Sequence, residues 1–239
     1  MDSVRFPGKA LAAETGTPLV MHVVERSRSA HKVDRIIVAA PDQEIIDAVT
    51  AHGGEAVMTR LDHPNGTSRI AEVAEGLDDS VEIIVNVQGD EPEIAPEAID
   101  AVIEALEQDP ECSMATIATP LTSKADAMNP NIVKVVCDQQ SRALYFSRAP
   151  IPIQRDLEDP HSPLGLRHVG LYAYRRHFLP IFASWEPTPL ELSEKLEQLR
   201  VLEHGHPISV AVHEMSGEGI DTPEQYTAFV SRYQSDHPT

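Results

Sequence analysis

The stretch Ile83-Ile84-Val85-Asn86-Val87-Gln88-Gly89-Asp90-Glu91-Pro92 decides how this chain reads. An apolar strand ends abruptly in a glycine and an acid. In an open α/β sheet, ligands bind just beyond the carboxyl ends of the strands. Asp90 therefore stands where a carboxylate can hold Mg2+ against the phosphates of a nucleotide. Gly89 would let the backbone turn sharply and approach a ligand closely. The same letters also describe a strand followed by an ordinary solvated turn. This segment alone does not choose between the two.

Working outward, strand and helix signals alternate. Residues 35–40 read as a buried strand. Residues 43–52 read as a helix with Ile45, Ile46 and Val49 on one face, stopped by Gly53-Gly54. A short strand at 55–58 and a helix from about 67 to 76 precede the Asp90 strand. A helix over 97–107 follows, with Ile99, Val102, Ile103 and Leu106 inward. This βαβα order predicts an α/β fold with a Rossmann-like, doubly wound, mostly parallel sheet. After about Ser113 the character changes. Strands at 113–119, 133–136, 143–147 and 168–174 have fewer helices between them, which reads as an inserted or appended sheet. Residues 149–166 are rich in proline and charge and read as a mobile loop. A helix is expected over 189–203, with Leu196, Leu199 and Leu202 on one face and Gly205 at its end. Residues 208–212 read as a last strand. Asp221-Thr222-Pro223-Glu224 reads as a helix start, with the aspartate as cap.

The bulk numbers bound the function. The chain has 239 residues, 41% of them apolar, enough for one large α/β domain or two small ones. Its formal net charge of −19 argues against nucleic acid or an anionic membrane as the main partner. An anionic substrate needs a local basic cluster and a metal. Cys112 and Cys137 lie in apolar segments without metal-ligand spacing, so buried free thiols in a reducing compartment are expected. No apolar run reaches the roughly 18 residues needed to span a bilayer, and no signal peptide is visible. The expectation is a cytoplasmic protein.

Six motifs follow in order: Arg5-Phe6-Pro7-Gly8-Lys9-Ala10-Leu11, Asn86-Val87-Gln88-Gly89-Asp90-Glu91-Pro92, Ala143-Leu144-Tyr145-Phe146-Ser147-Arg148, Arg167-His168-Val169-Gly170-Leu171-Tyr172, Leu196-Glu197-Gln198-Leu199-Arg200 and Gly219-Ile220-Asp221-Thr222-Pro223-Glu224. Over nearly its whole length the chain resembles the 3-deoxy-manno-octulosonate cytidylyltransferases, also called CMP-KDO synthetases. The resemblance implies CTP plus KDO giving CMP-KDO and pyrophosphate, with Mg2+, for lipopolysaccharide synthesis. It implies a homodimer, and a single nucleotidyltransferase domain over 1–239 in which residues 113–188 form the inserted sheet, lid and dimer region.

The resemblance also assigns residues. A Pro-Gly-Lys loop places an ammonium and backbone N–H groups against a triphosphate. By itself it reads better as a solvated basic turn; with the resemblance, Lys9 and Arg5 stabilise the leaving pyrophosphate. Asp90 and Asp221 each follow an apolar stretch and a glycine, and the resemblance makes them the Mg2+ ligands. For Asp221 the competing reading is the helix cap. Residues 59–69 resemble the nucleotide-side loop, with Arg60, Asn65 and Gly66 as nucleotide contacts. The family usually has serine where this chain has Asn65, and an acid where it has Ser68. Arg148, Arg155, His168, Tyr172, Glu197, Gln198 and Gln88 resemble the sugar-side set, because KDO carries a carboxylate that arginine binds bidentately. Arg155 alone reads as a solvated surface residue, and Glu197 and Gln198 as the polar face of their helix. His63, His161, His177, His204 and His206 lack ligand spacing and read as surface or loop histidines. Trp185 reads as a core or dimer contact.

In the family the lysine loop follows an apolar strand ending in Pro-Ala-Arg. No such strand precedes Arg5, so Met1 is expected to be internal to a longer reading frame. Other readings remain open at this level: activation of a related sugar acid such as 8-amino-KDO, or a non-catalytic nucleotide-binding paralogue.

Overall fold

The computed structural model describes residues 6–153, 155, 164–214 and 219–237. Their contacts separate into two units. The first is Met1–Gly76, Val87–Asp100 and Ser216–Thr239; the second is Leu77–Asn86 and Ala101–Met215.

In the first unit, α1 (Leu19–Arg28) is apolar on two sides, with Leu19, Val20, Met21, Val23 and Val24 all buried. Val20, Met21 and Val24 pack with Val49. Leu19 packs with Ile220, Tyr226 and Phe229. Burial on both sides blurs the 3.6-residue period. Strand β1 (Val38–Ala40), helix α2 (Gln43–Ala51) and strand β2 (Ala56–Met58) form a βαβ unit, the strands pairing in parallel from Val38↔Ala56 to Ala40↔Met58. The expected buried strand over 35–40 is shorter and mostly half-buried, because its ladder runs only as far as β2 does. Gly53 takes a positive φ of 72°, and a Cβ at Gly54 would lie 2.6 Å from Val49 Cγ1. The two glycines thus stop α2 by conformation and by close packing. Helix α3 (Gly66–Glu75) follows.

The second unit holds a mixed sheet ordered β6-β5-β7-β4-β8, with β3 also on β7. Its strands are β3 (Ile83–Asn86), β4 (Met114–Pro120), β5 (Lys134–Cys137), β6 (Ala143–Ser147), β7 (Leu166–Arg175) and β8 (Ile208–Val212). The β4·β8 pair is parallel; β3·β7, β4·β7, β5·β6 and β5·β7 are antiparallel. The strand before Asp90 therefore joins an antiparallel partner, a choice that apolar patterning cannot make. Among the helices, α4 (Pro96–Gln108) buries Ile99, Val102, Ile103 and Leu106 as expected. Helices α5 (Lys124–Met128) and α6 (Phe178–Ser184) are short. The single helix expected over 189–203 is two, α7 (Pro189–Glu194) and α8 (Gln198–Glu203). Lys195 breaks them with a left-handed φ of 55°. Arg200 then clasps Glu191 bidentately, at 2.7 and 2.6 Å, and ties α8 back to α7. The break puts Glu197 and Gln198 at the start of a new helix. Gly205, φ 77°, ends α8.

Cys112 is buried, Cys137 half-buried, and both are free thiols. Burial pushes their pKa values to about 12 and about 11. Among the described residues no helix is long and apolar enough to cross a membrane.

Candidate active site

The residues expected on the phosphate side lie in the first unit. Gly8, at φ 73°, turns the chain into a 3-10 turn over Lys9–Leu11. Lys9 Nζ then donates to Asp90 Oδ2 at 2.6 Å, to the Ile220 carbonyl at 2.8 Å and to Asp221 Oδ1 at 3.4 Å. The loops bearing the two aspartates are joined by Ile220 N donating to Asp90 O at 2.8 Å. A Cβ at Gly219 would sit 3.0 Å from Glu91 Oε1, so a glycine lets these loops approach. Arg26 Nε braces the Asp90 loop through Ile94 O at 2.9 Å.

Two expectations change here. Gly89 takes no left-handed conformation, and a Cβ on it would meet nothing within 4 Å. The turn before Asp90 therefore does not require glycine. Asp221 is not the helix cap either. Thr222 caps α9 (Pro223–Asp236) by accepting from Gln225 N at 3.3 Å, and Gln225 Oε1 accepts from Asp221 N and Thr222 N at 2.8 and 3.0 Å. Proline at N1 fixes the helix one residue later than expected. The Asp221 carboxylate is thereby directed to the Lys9 ammonium instead. Arg5 lies outside the described residues.

Among the described residues no cluster of three or more His, Cys, Asp or Glu groups is placed to hold a metal. Two carboxylates on one cation are nevertheless the donor set that suits Mg2+, which takes one or two carboxylates and completes its shell with water and phosphate.

The nucleotide loop is tied to α3. Asn65 Oδ1 caps the helix by accepting from Ser68 N at 2.8 Å, while Ser68 Oγ donates to Asn65 O at 3.0 Å. The pair that departs from the family pattern thus still closes the helix start. A Cβ at Gly66 would meet open space. Arg60 is exposed, 3.6 Å from Asp62 and 3.9 Å from Glu72. Arg69 holds Thr59 Oγ1 at 2.5 Å and Arg60 O at 3.1 Å. His63, expected as a surface or loop histidine, lies in a loop with its side chain enclosed and paired with Glu72.

The residues expected on the sugar side, Gln88 excepted, lie in the second unit. His168 and Tyr172 sit on β7 with rings 5.5 Å apart. Four residues of a regular strand would separate their Cα atoms by about 13 Å. The β4·β7 register shifts between Thr116 and Ile117, and this irregularity draws them together. Thr116 Oγ1 fills the gap, 2.9 Å from both Leu171 O and His168 Nε2. With its one proton given to Leu171 O, the hydroxyl accepts from His168 Nε2 and leaves Nδ1 as an acceptor. Burial drives the His168 pKa down to about 3, so the ring is neutral. Burial and then Glu197 raise the Tyr172 phenol above its usual range. Glu197 is half-buried. Gln198 is only 3% exposed, and its Nε2 has no hydrogen-bond partner among the described residues. Arg148 Nε donates to Glu194 O at 2.7 Å, and its Nη1 to Pro130 O at 3.1 Å. Arg155 is exposed, as is Gln88, which stands beside Asp90 in the first unit.

Sequence reasoning missed Thr116, Glu194 and Lys134. Lys134 is fully buried, and its Nζ donates to the carbonyls of Asn129, Ile132 and Arg148 at 2.9, 2.6 and 2.6 Å. A lysine inside the apolar run 133–136 was the available signal. Glu194 accepts from Ser147 Oγ and Arg148 N at 2.6 and 2.9 Å. Trp185 packs on Phe178 and Phe182 and stacks on His204 at 3.9 Å. His177 and His204 are exposed and His206 is half-buried. His161, and the loop residues 154 and 156–163, lie outside the described residues.

Comparison with known proteins places the whole chain. The family model described as "Cytidylyltransferase" matches residues 1–210. A 3-deoxy-manno-octulosonate cytidylyltransferase of Syntrophobacter fumaroxidans is 51% identical over 229 residues, covering 95% of this chain and 91% of that protein. One of Geobacter sulfurreducens is 48% identical, covering 92% and 91%. A solved CMP:2-keto-3-deoxy-manno-octonic acid synthetase complexed with CTP superposes with a TM-score of 0.91 at 37% identity, over 98% of this chain and 94% of that one. A 4-diphosphocytidyl-2C-methyl-D-erythritol synthase from Anaerococcus prevotii shares the fold alone, with a TM-score of 0.62 at 16% identity over 95% of this chain and 93% of that one. Half-identity over nearly the full length, with a cytidylyltransferase family model matching residues 1–210, makes this chain a member of the 3-deoxy-manno-octulosonate cytidylyltransferase family.

Proposed function

We propose that the protein transfers CMP from CTP to KDO, releasing pyrophosphate, as a step towards lipopolysaccharide. The observation that carries this reading is the Lys9 ammonium set between Asp90 and Asp221, in a chain half-identical to enzymes named for that reaction. Asp90 and Asp221 would hold Mg2+. When bound, that ion supplies charge to the phosphates and lowers the pKa of the attacking hydroxyl. Lys9, with Arg5, neutralises the departing pyrophosphate. Arg60 and the Asn65-Gly66 turn take the nucleotide.

The second unit supplies the sugar-side chemistry. Gln198 Nε2 offers a buried donor, and Glu197 offers an acceptor. Neutral His168 accepts a hydroxyl through Nδ1, and Tyr172 stays protonated across physiological pH. Arg148 and Arg155 meet the sugar carboxylate, with Gln88 beside Asp90. Held so, the anomeric hydroxyl attacks the α-phosphorus in line, with no covalent enzyme intermediate. The reaction belongs in the cytoplasm, and the active form is a homodimer; neither nucleic acid nor membrane is a partner.

The test is pyrophosphate release with CTP, Mg2+ and KDO, with Asp90→Asn as control and 8-amino-KDO as a rival acceptor. Release that needs KDO and Asp90 is expected. Faster release with 8-amino-KDO would move the assignment to that sugar. CTP binding without any turnover would point to a non-catalytic paralogue.

A further inference from the structure

Lys9 carries three N–H donors, and three oxygens accept them: Asp90 Oδ2, Ile220 O and Asp221 Oδ1. No donor is left for a phosphate. The same two carboxylates are those that would hold the divalent ion. An ammonium already seated between them repels a second cation and takes one oxygen of each, Asp90 Oδ2 and Asp221 Oδ1. The lysine side chain is only 17% exposed, so water screens this conflict weakly.

Resting on the metal reading of Asp90 and Asp221 given above, we infer that Lys9 is the resident cation of the nucleotide-free site. It holds the two loops together and keeps the divalent ion out until a triphosphate arrives. The phosphates then draw the ammonium off the aspartates, and the divalent ion takes its place. Metal and nucleotide binding are thereby coupled through one side chain, with each favouring the other. The device needs no further residue, because Lys9 has phosphate as its second partner and the aspartates have the metal as theirs.

Mn2+ is the probe, followed by loss of its free electron-paramagnetic signal. It is titrated into wild type, Lys9→Gln and Asp90→Asn, each shown to be folded by its thermal melt. Without nucleotide, Lys9→Gln should bind Mn2+ about tenfold more tightly than wild type, and Asp90→Asn should lose the binding. CTP, after correction for Mn2+ held by free nucleotide, should tighten Mn2+ binding in wild type more than in Lys9→Gln. Equal or weaker binding by Lys9→Gln, with binding still dependent on Asp90, overturns the resident-cation inference and leaves the metal reading standing. Binding that ignores Asp90→Asn, or none in any form with CTP present, sinks the metal reading and this inference with it. Should Lys9→Gln not fold, Lys9→Arg serves: it keeps a permanent cation, so tighter Mn2+ binding than wild type would overturn the inference.

Discussion

Replacing Gln198 by methionine should make the protein more stable and a worse enzyme for its sugar. The side chain is 3% exposed, and its Nε2 lacks a partner among the described residues. A buried unsatisfied polar group costs roughly 1–3 kcal/mol. Methionine has a similar length and carries no donor, so Gln198→Met should recover about 1 kcal/mol in the ligand-free protein. For a chain of this size that raises Tm by about 2–4 °C. In the proposed function the sugar acid is the partner of this amide. Losing that hydrogen bond costs about 1–1.5 kcal/mol, or close to tenfold in KM for KDO. KM for CTP should stay the same, because the nucleotide-side groups lie in the other unit. The assays are thermal unfolding without ligand and steady-state kinetics with each substrate varied in turn. A less stable Gln198→Met would mean that the amide already has a partner. An unchanged KM for KDO would mean that the sugar does not reach it.

Two neighbours should separate capping from chemistry. Thr222→Ala should cost about 1 kcal/mol of stability and leave kcat within a fewfold, whereas Asp221→Asn should leave Tm nearly unchanged and lower kcat by about 100-fold or more. The reverse pattern would return Asp221 to the role of cap. Stability should also depend on His168. Its folded pKa of about 3 lies below its ordinary 6.5, so the unfolded chain binds the proton more readily. The stabilisation is whole above pH 6.5 and is lost as pH falls toward 3, at about 1.4 kcal/mol per pH unit. His168→Gln keeps a donor toward Thr116 and should flatten that slope in urea-melt series between pH 6.5 and 4. An unaltered slope would show that the histidine is already charged in the folded protein.

Most residues of the candidate site could be singled out in the letters because they stand in short motifs. Lys9, Asp90, Asp221 and the pairs around His168 and Gln198 stand in runs that carry their own turns and caps. Element types in the first unit were legible for the same reason: Ile45, Ile46 and Val49 recur at helical spacing, and Gly53-Gly54 stops them. The helix α1 was not, since burial on two sides leaves no polar stripe to read.

Pattern in a sequence reports what each residue prefers, and it determined here which segments are strands, which acids follow glycines and which family the chain resembles. It did not determine partners. That β3 pairs antiparallel with β7, that Lys195 splits one expected helix into two, and that Thr222 caps in place of Asp221 follow from contacts between residues distant in the chain or from a single backbone torsion. The shift of register opposite Thr116, which brings His168 to Tyr172, belongs to the same class. So does the meeting of Lys9 with two aspartates more than 80 and 210 positions away. Such choices are settled by packing and by the pairing of buried polar groups, energies that exist only once the chain is folded.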